Sequence, residues 1–385
     1  MSTSQPRVLT IAPGQAFLDC LADSVLSGFP RGGGTAPSAL ELPRWTILLP
    51  TRRAVRELEN IFLARSGGKA LLLPRIRPIG DIDEDLVVPE ADAEDLPDAM
   101  APIGQLLLLT DLIDAWASAT PQSRLAQEIA AAPQQAHTLA RSLAEFLDGM
   151  ETEEVDASRI PELYGLESAG HREAILQFLG VAREAYPARL NGLGLMSAKA
   201  RRSLALRHEA NRLRDTMPEM PIIAAGSTGS IPATRQLLQA IAHLPNGAVV
   251  LPGLDLGMDD ASWAAVAPPH PQHALKQLLA FLGIGRGQVE ALAGPGNRPR
   301  NWLASEIMRP AETSDAWRDA VASNTAVIAD AMAGVELVEA GNVHDEATVI
   351  ALMLRQCLDT AGRTASLVTP DRNLARRVKI GRAHV

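Results

Sequence analysis

Short apolar runs, each followed at once by a turn and an amphipathic helix, occur on both sides of a long helical stretch. That recurrence constrains the fold more than any other feature of the chain. Val8 to Ile11 reads as a buried strand, Pro13-Gly14 as a turn, and Phe17, Leu18, Leu21, Val25 and Leu26 as the apolar face of a helix. After the Gly/Pro-rich loop from Gly28 to Ser38, Trp45 to Leu49 reads as a second strand, and Thr51 as the N-cap of a helix that turns Val55, Leu58 and Phe62 inward. Leu71 to Leu73 and Ile76 suggest a third strand. Helical spacing then takes over between Ala101 and Thr216, in the segments Leu106 to Trp116, Ala136 to Leu147, Glu173 to Ala185 and Ser197 to Leu213. Strand signals return at Ile222 to Ala225 and Ala248 to Leu251, with a helix through Leu237, Leu238 and Ile241 between them. Strands alternating with amphipathic helices call for parallel βαβ units. The fold class expected is therefore α/β, a parallel sheet with a large all-helical insertion.

A fresh strand and helix pattern opens near Val335, with strands at Val335 to Glu339 and Ala365 to Val368 and helices at Glu346 to Cys357 and Arg372 to Val378. Trp302 to Ala329 reads as helical. The domain division expected is 1–100 for the first part of the sheet domain, 101–216 for the helical insertion, 217–330 for the remainder with a loop-rich and helical extension, and 331–379 for the start of a second α/β domain. Two strands and two helices cannot cover both faces of a parallel sheet, so the second domain reads as truncated. The final residues 380–385, IGRAHV, coincide with an in-frame translation of a sequencing adapter and read as a non-native tail.

Composition sets limits on function. At 385 residues and 46% hydrophobic content the chain can build a large core, but with 3% aromatics its packing rests on Leu, Ala, Val and Ile. A formal net charge of -9 excludes a generally cationic surface, so any nucleic-acid contact is confined to a local patch. Cys20 and Cys357 lie far apart, which fits a reducing, cytoplasmic setting and offers no C-x-x-C metal site. No run of about 18 apolar residues occurs, so no membrane association is expected. From Asp81 to Asp98 there are nine carboxylates and no basic residue, interrupted by Pro89 and Pro97. That run reads as a solvated loop rather than a two-metal cleavage site.

The turns after the strands are where chemistry is to be sought. A phosphate loop, G-x-x-x-x-G-K followed by Ser or Thr, needs its Lys for the outer phosphates and its hydroxyl for magnesium. Here the first turn reads APGQAFLDC, a degenerate nucleotide loop in which Pro13-Gly14 keeps only the glycine. Gly67-Gly68-Lys69 precedes a strand rather than following one, and reads as a loop. Arg52 and Arg53 fall in the first turn of a helix, where they oppose the positive end of its dipole unless an anion is close. A phosphate held by Thr51, the free N–H groups and the guanidinium forks would relieve that opposition, although two solvated arginines remain the plain alternative. Arg75 and Arg77, flanking Ile76, extend the same patch. Gly226-Ser227-Thr228-Gly229-Ser230 follows a strand and opens a helix, so it is either a helix-capping turn or a phosphate or DNA contact. His270 and His273 have zinc-like spacing but no thiol and a proline between them, and read as a surface turn.

The stretches LLPTRRAVRELE (Leu48 to Glu59), LLLPRIRPIGDIDED (Leu71 to Asp85), AAGSTGSIPATRQLLQAIAHLPNGAVVLPGLD (Ala224 to Asp255), HPQHALKQLL (His270 to Leu279) and SLVTPDRNLARRV (Ser366 to Val378) together resemble the AddB family, subunits of AddAB-type helicase-nucleases that process broken DNA ends. The resemblance implies a superfamily 1 helicase-like, RecA-like domain with a helical insertion, then a second such domain and a nuclease domain. It implies an AddA motor subunit as partner, carrying most of the ATP chemistry, with DNA ends and single-stranded DNA as ligands. The family's iron-sulfur cluster and magnesium belong to the nuclease domain, none of whose positions lies in these residues. Two isolated cysteines cannot supply the four ligands of a cluster. In helicases of this kind the position of Thr51-Arg52-Arg53 touches the single-stranded backbone, and that of Gly226 to Ser230 corresponds loosely to a motif coupling nucleotide to DNA. The expected role is DNA binding in double-strand break repair and recombination by a catalytically inactive helicase-like region, with no catalytic residue and no resident cofactor. An active P-loop enzyme and a protein-interaction scaffold without DNA contact are the competing expectations.

Overall fold

A computed structural model describes residues 5–31, 35–79, 96–132, 134–156, 159 and 178–381. The chain divides into two compact units, Met1–Asn324 and Thr325–Val385.

In the first unit the apolar runs become neighbouring strands because only lateral pairing satisfies the backbone of a segment buried on both faces. The strands are β1 (Val8–Ile11), β2 (Thr46–Leu49), β3 (Arg75–Pro78), β6 (Ile222–Ala225), β7 (Gly247–Pro252) and β8 (Glu290–Ala291), in the order β3-β2-β6-β7-β1-β8. Every pairing in this six-stranded sheet is parallel. Val8 lies opposite Val249, and Ile47 opposite Ile223. The protein is thus α/β with a parallel sheet.

Alternation along the strands feeds two cores. Ile11, Ile47, Leu49, Ile223, Ala225 and Val250 face α1 (Phe17–Leu26) and α2 (Arg52–Arg65), which bring Leu21, Val25, Val55, Leu58 and Phe62 to the contact. Val8, Leu48, Ile222, Ala224, Val249 and Leu251 face the other way, toward three helices that include Pro232–Ala242 and His273–Leu282. The third helix on that face is Ala198–Thr216, which contributes Ala205, Leu206, Ala210 and Leu213.

Between β3 and β6 lie α3 (Pro102–Ala119), α4 (Arg124–Ala131), α5 (Gln134–Thr152), a π-helical turn at Val181–Ala185, α6 (Tyr186–Gly192) and α7 (Ala198–Thr216). Leu109, Ile113 and Ala117 recur at four-residue spacing and meet Ala136, Ala140, Leu143 and Leu147 in a core separate from the two against the sheet. A short parallel pair, β4 (Asp98–Ala99) with β5 (Leu195–Met196), ties the start of this stretch to its end. Most of the acidic run from Asp81, and the helix expected from Glu173 as far as residue 177, lie outside the described residues.

Several expectations are corrected. The third strand forms at Arg75–Pro78 and not at Leu71 to Leu73, since Pro74 separates the leucines from the segment that pairs with Thr46 to Leu49. The helix expected from Trp302 to Ala329 is broken into α11 (Arg298–Ile307), α12 (Trp317–Ser323) and α13 (Thr325–Met332), with Pro310 and Asn324 at the interruptions. The helices between α7 and these are α8 (Pro232–Ala242), α9 (Asp260–Ala265) and α10 (His273–Leu282). In the second unit, α14 (Val343–Leu358) and α15 (Arg372–Gly381) pack through Ala347, Ala351, Leu374 and Val378. Val335 to Glu339 and Ala365 to Val368 join no ladder among the described residues, and Leu337 and Val368 are exposed. Apolar, β-branched residues raise strand propensity, but a strand also needs a neighbour to accept its backbone hydrogen bonds.

Candidate functional site

Because the main sheet is wholly parallel, the turns at Pro13-Gly14, Thr51-Arg52-Arg53 and Gly226 to Ser230, each of which follows a strand, fall on one edge, where the strands end. The chain leaves β1 toward β2 on one side and leaves β7 toward β8 on the other. The adjacent strands β1 and β7 therefore mark one reversal of the kind where open α/β sheets place ligands, and β2 and β6, which leave toward β3 and β7, mark another.

The degenerate nucleotide loop stands at the first reversal, and it is covered. Gln15 Nε2 donates to the Gly294 carbonyl at 3.2 Å, and a Cβ placed on Gly296 would lie 3.2 Å from the Pro13 carbonyl oxygen. Asn301 Oδ1 comes within 3.6 Å of the Cβ position of Gly14, whose φ of +78° suits glycine. Residues 294–301 thus lean directly on the turn that would need open space to cradle phosphates. Beside them is a cavity of about 470 Å³, lined largely by apolar groups of Pro13, Leu254, Met258, Trp302 and Met308. Two of its polar neighbours, Thr10 and Gln272, are taken up by backbone groups. Thr10 Oγ1 donates to the Leu251 carbonyl and accepts from Leu254 N, and Gln272 bridges Asp255 N and the Gly253 carbonyl.

Three strands from β1, at the end of β2, Thr51 adopts an extended N-cap conformation and its hydroxyl accepts from Ala54 N at 3.1 Å. Arg52 and Arg53 follow as the first two residues of α2, which has no acidic residue in its first turn. The adjoining strand β6 ends in the Gly226 to Ser230 loop. Gly226 (φ +79°) sits where a Cβ would be 3.4 Å from Pro50 Cδ, so the turns after β2 and β6 touch. Gly229 (φ +62°) leaves no room for a side chain against Leu278, whose Cδ1 would be 2.9 Å from an added Cβ.

As a helix-capping turn the loop fails. The N-cap of α8 is Ile231, which makes no side-chain cap, while Ser227 Oγ accepts from Gly229 N instead. Between this loop, Pro50 and Ile79 is a second cavity, about 210 Å³, which Arg202 and Thr234 also line. Arg202 was not singled out from the sequence. A signal was present, because it stands three and four residues before Ala205 and Leu206 and so falls on the buried face of α7.

Arg75 and Arg77 lie on β3, an edge strand of the sheet, opposite Thr46 and Leu48, with Arg75 exposed and Arg77 partly buried. Ile76 between them packs toward α1 and α2, so the two arginines face the other side of the sheet. His270 accepts from Gln272 N through Nδ1 and donates from Nε2 to the Met308 carbonyl at 2.8 Å, while His273 Nε2 lies 2.9 Å from Gln277 Nε2. No metal-holding group of His, Cys, Asp or Glu occurs among the described residues. No helix among them is long and apolar enough to cross a membrane. No protein-family model matches the chain, and no curated protein matches it.

Proposed function

We propose that this chain is a DNA-holding, catalytically inactive helicase-like region of an AddB-type subunit, acting in double-strand break repair and recombination. In this reading residues 1–330 form a RecA-like domain, residues 101–216 with α3 to α7 are its helical insertion, and residues 331–379 begin a second domain of the same kind. The chain works in the cytoplasm beside an AddA-type motor subunit, which supplies ATP turnover, and takes DNA ends and single strands as ligands. Any iron-sulfur cluster or magnesium belongs to a nuclease domain and not to these residues.

The observation that carries the reading is the capped first turn of α2. Two arginines stand in the first turn of a helix, at its positive end, on the strand-end edge and beside a loop of small residues. An anion there is favoured by the helix dipole, the free N–H groups and the arginines together. The covered turn at Gly14, lacking a lysine, supports assigning ATP turnover elsewhere.

Single-stranded DNA affinity of the chain, measured by fluorescence anisotropy across a salt series, tests the assignment. Phosphate contacts release counterions, so affinity falls steeply with salt, and the double variant Arg52→Ala, Arg53→Ala weakens binding and flattens the log-log slope by roughly one to two units. A slope unchanged in the double variant removes Arg52 and Arg53 from the site. ATP turnover by the purified chain in proportion to its concentration would favour the active-enzyme alternative.

A further inference from the structure

We infer that the smaller cavity at the strand-end edge is a phosphate-binding site built around Arg202 and Thr234. The inference rests on the DNA-holding reading of this edge and adds a residue from α7 that the reading does not use.

Arg202 is the only charged residue lining the cavity among the described residues. Its Nε is shielded from solvent and has no hydrogen-bond partner. A desolvated guanidinium N–H without an acceptor is costly to leave, and the acceptor that suits its planar fork best is a carboxylate or a phosphate. Thr234 is 4% exposed and also lines the cavity, yet its hydroxyl makes no hydrogen bond to a described residue. The usual acceptor for a helical threonine is the carbonyl four residues back, here Ser230 O, which accepts from Arg235 Nη2 at 3.0 Å and not from Thr234.

Arg235 also orients the loop. Its Nε donates to the Gly229 carbonyl at 2.8 Å, so the carbonyls of Gly229 and Ser230 both point at that side chain. In a trans peptide the next N–H points the opposite way, which turns the N–H groups of Ser230 and Ile231 away from Arg235. Both residues line the cavity. With no side-chain cap on α8 and no acidic residue in its first turn, the donors that a cap would satisfy are left for a ligand. A guanidinium, the hydroxyl of Thr234 and outward-turned amides around one small cavity fit a tetrahedral oxyanion. That group is either free phosphate or one backbone phosphate of a nucleic acid.

The test uses the whole chain, with inorganic phosphate followed by calorimetry in chloride buffer and a labelled single-stranded oligonucleotide followed by anisotropy. Phosphate is expected to bind saturably. Arg202→Gln is expected to weaken it about tenfold or more and Thr234→Val about fivefold, the sizes of one charge-assisted and one neutral hydrogen bond. Phosphate should raise the melting temperature of the parent chain and not that of Arg202→Gln. If Arg202→Gln is too unstable to assay, Thr234→Val alone carries the comparison. Competition between oligonucleotide and phosphate, with both lost in the variants, assigns the cavity to a backbone phosphate. Phosphate binding that depends on Arg202 without oligonucleotide binding keeps the cavity and discards the DNA reading. Oligonucleotide binding that depends on Arg52 and Arg53 but is indifferent to Arg202 and Thr234, with no phosphate binding, discards the cavity and keeps the DNA reading.

Discussion

Asp259 caps α9, accepting from Ser262 N at 2.9 Å, and its other oxygen meets the Ser262 hydroxyl at 2.8 Å and Arg309 at 2.7 Å. The Ser262 N–H, then the Ser262 hydroxyl and the Arg309 guanidinium, hold its pKa down to about 2. The folded state therefore binds this proton less readily than the unfolded chain, whose aspartates titrate near 3.9. Its contribution to stability is complete above that value and disappears as pH falls through about 2. Asp259→Ala should accordingly melt below the parent at neutral pH, with the gap closing between about pH 4 and pH 2. A gap independent of pH in thermal scans would mean that the carboxylate's charge is not what the cap contributes. Little of this was legible in the sequence. The partner that matters to Asp259, Arg309, lies fifty residues along the chain.

At the scale of one element, α2 and α8 begin in opposite ways. Thr51 caps α2 with its own hydroxyl, whereas Ile231 leaves the first turn of α8 bare. The first was readable because a cap is a property of one residue type beside an apolar periodicity. The second was not, because Ser227, Thr228 and Ser230 have the right chemistry but stop short of the helix. Thr51→Ala should cost about 1 kcal/mol of stability, seen as a lower urea midpoint with an unchanged m-value. An unchanged midpoint would show that the hydrogen bond to Ala54 N contributes nothing net. Strand β3 illustrates the opposite error. Its pattern Arg75-Ile76-Arg77-Pro78 offers one inward apolar residue, as suits an edge strand, so the flanking leucines gave the louder signal. In the second unit the misleading signal was propensity itself, since Val335 to Glu339 has strand chemistry and no ladder among the described residues.

Across the first unit, the parallel sheet and its two helical faces followed from periodicity, because each strand and helix is specified within a few residues. The covering of the first turn did not, because it depends on residues 294–301 returning to residues 13–15 through contacts with no local pattern. That return changes what the loss of the lysine means. Had the turn been open, a missing lysine alone would explain weak nucleotide binding, and restoring the motif would restore it. With Gly294 accepting from Gln15 and Gly296 packed on Pro13, the turn is obstructed on one side and also lacks the lysine of a phosphate loop. Grafting a complete phosphate-loop sequence over residues 12–19 should therefore leave ATP affinity, measured by equilibrium dialysis with magnesium, no better than that of the parent chain. Adding Asn301→Ala to the graft removes the side chain that approaches Gly14 but leaves the backbone at 294–296 in place, so it too should fail. Micromolar ATP binding by the graft alone would show that residues 294–301 yield readily, and the case against a nucleotide at this turn would then rest on the missing lysine alone.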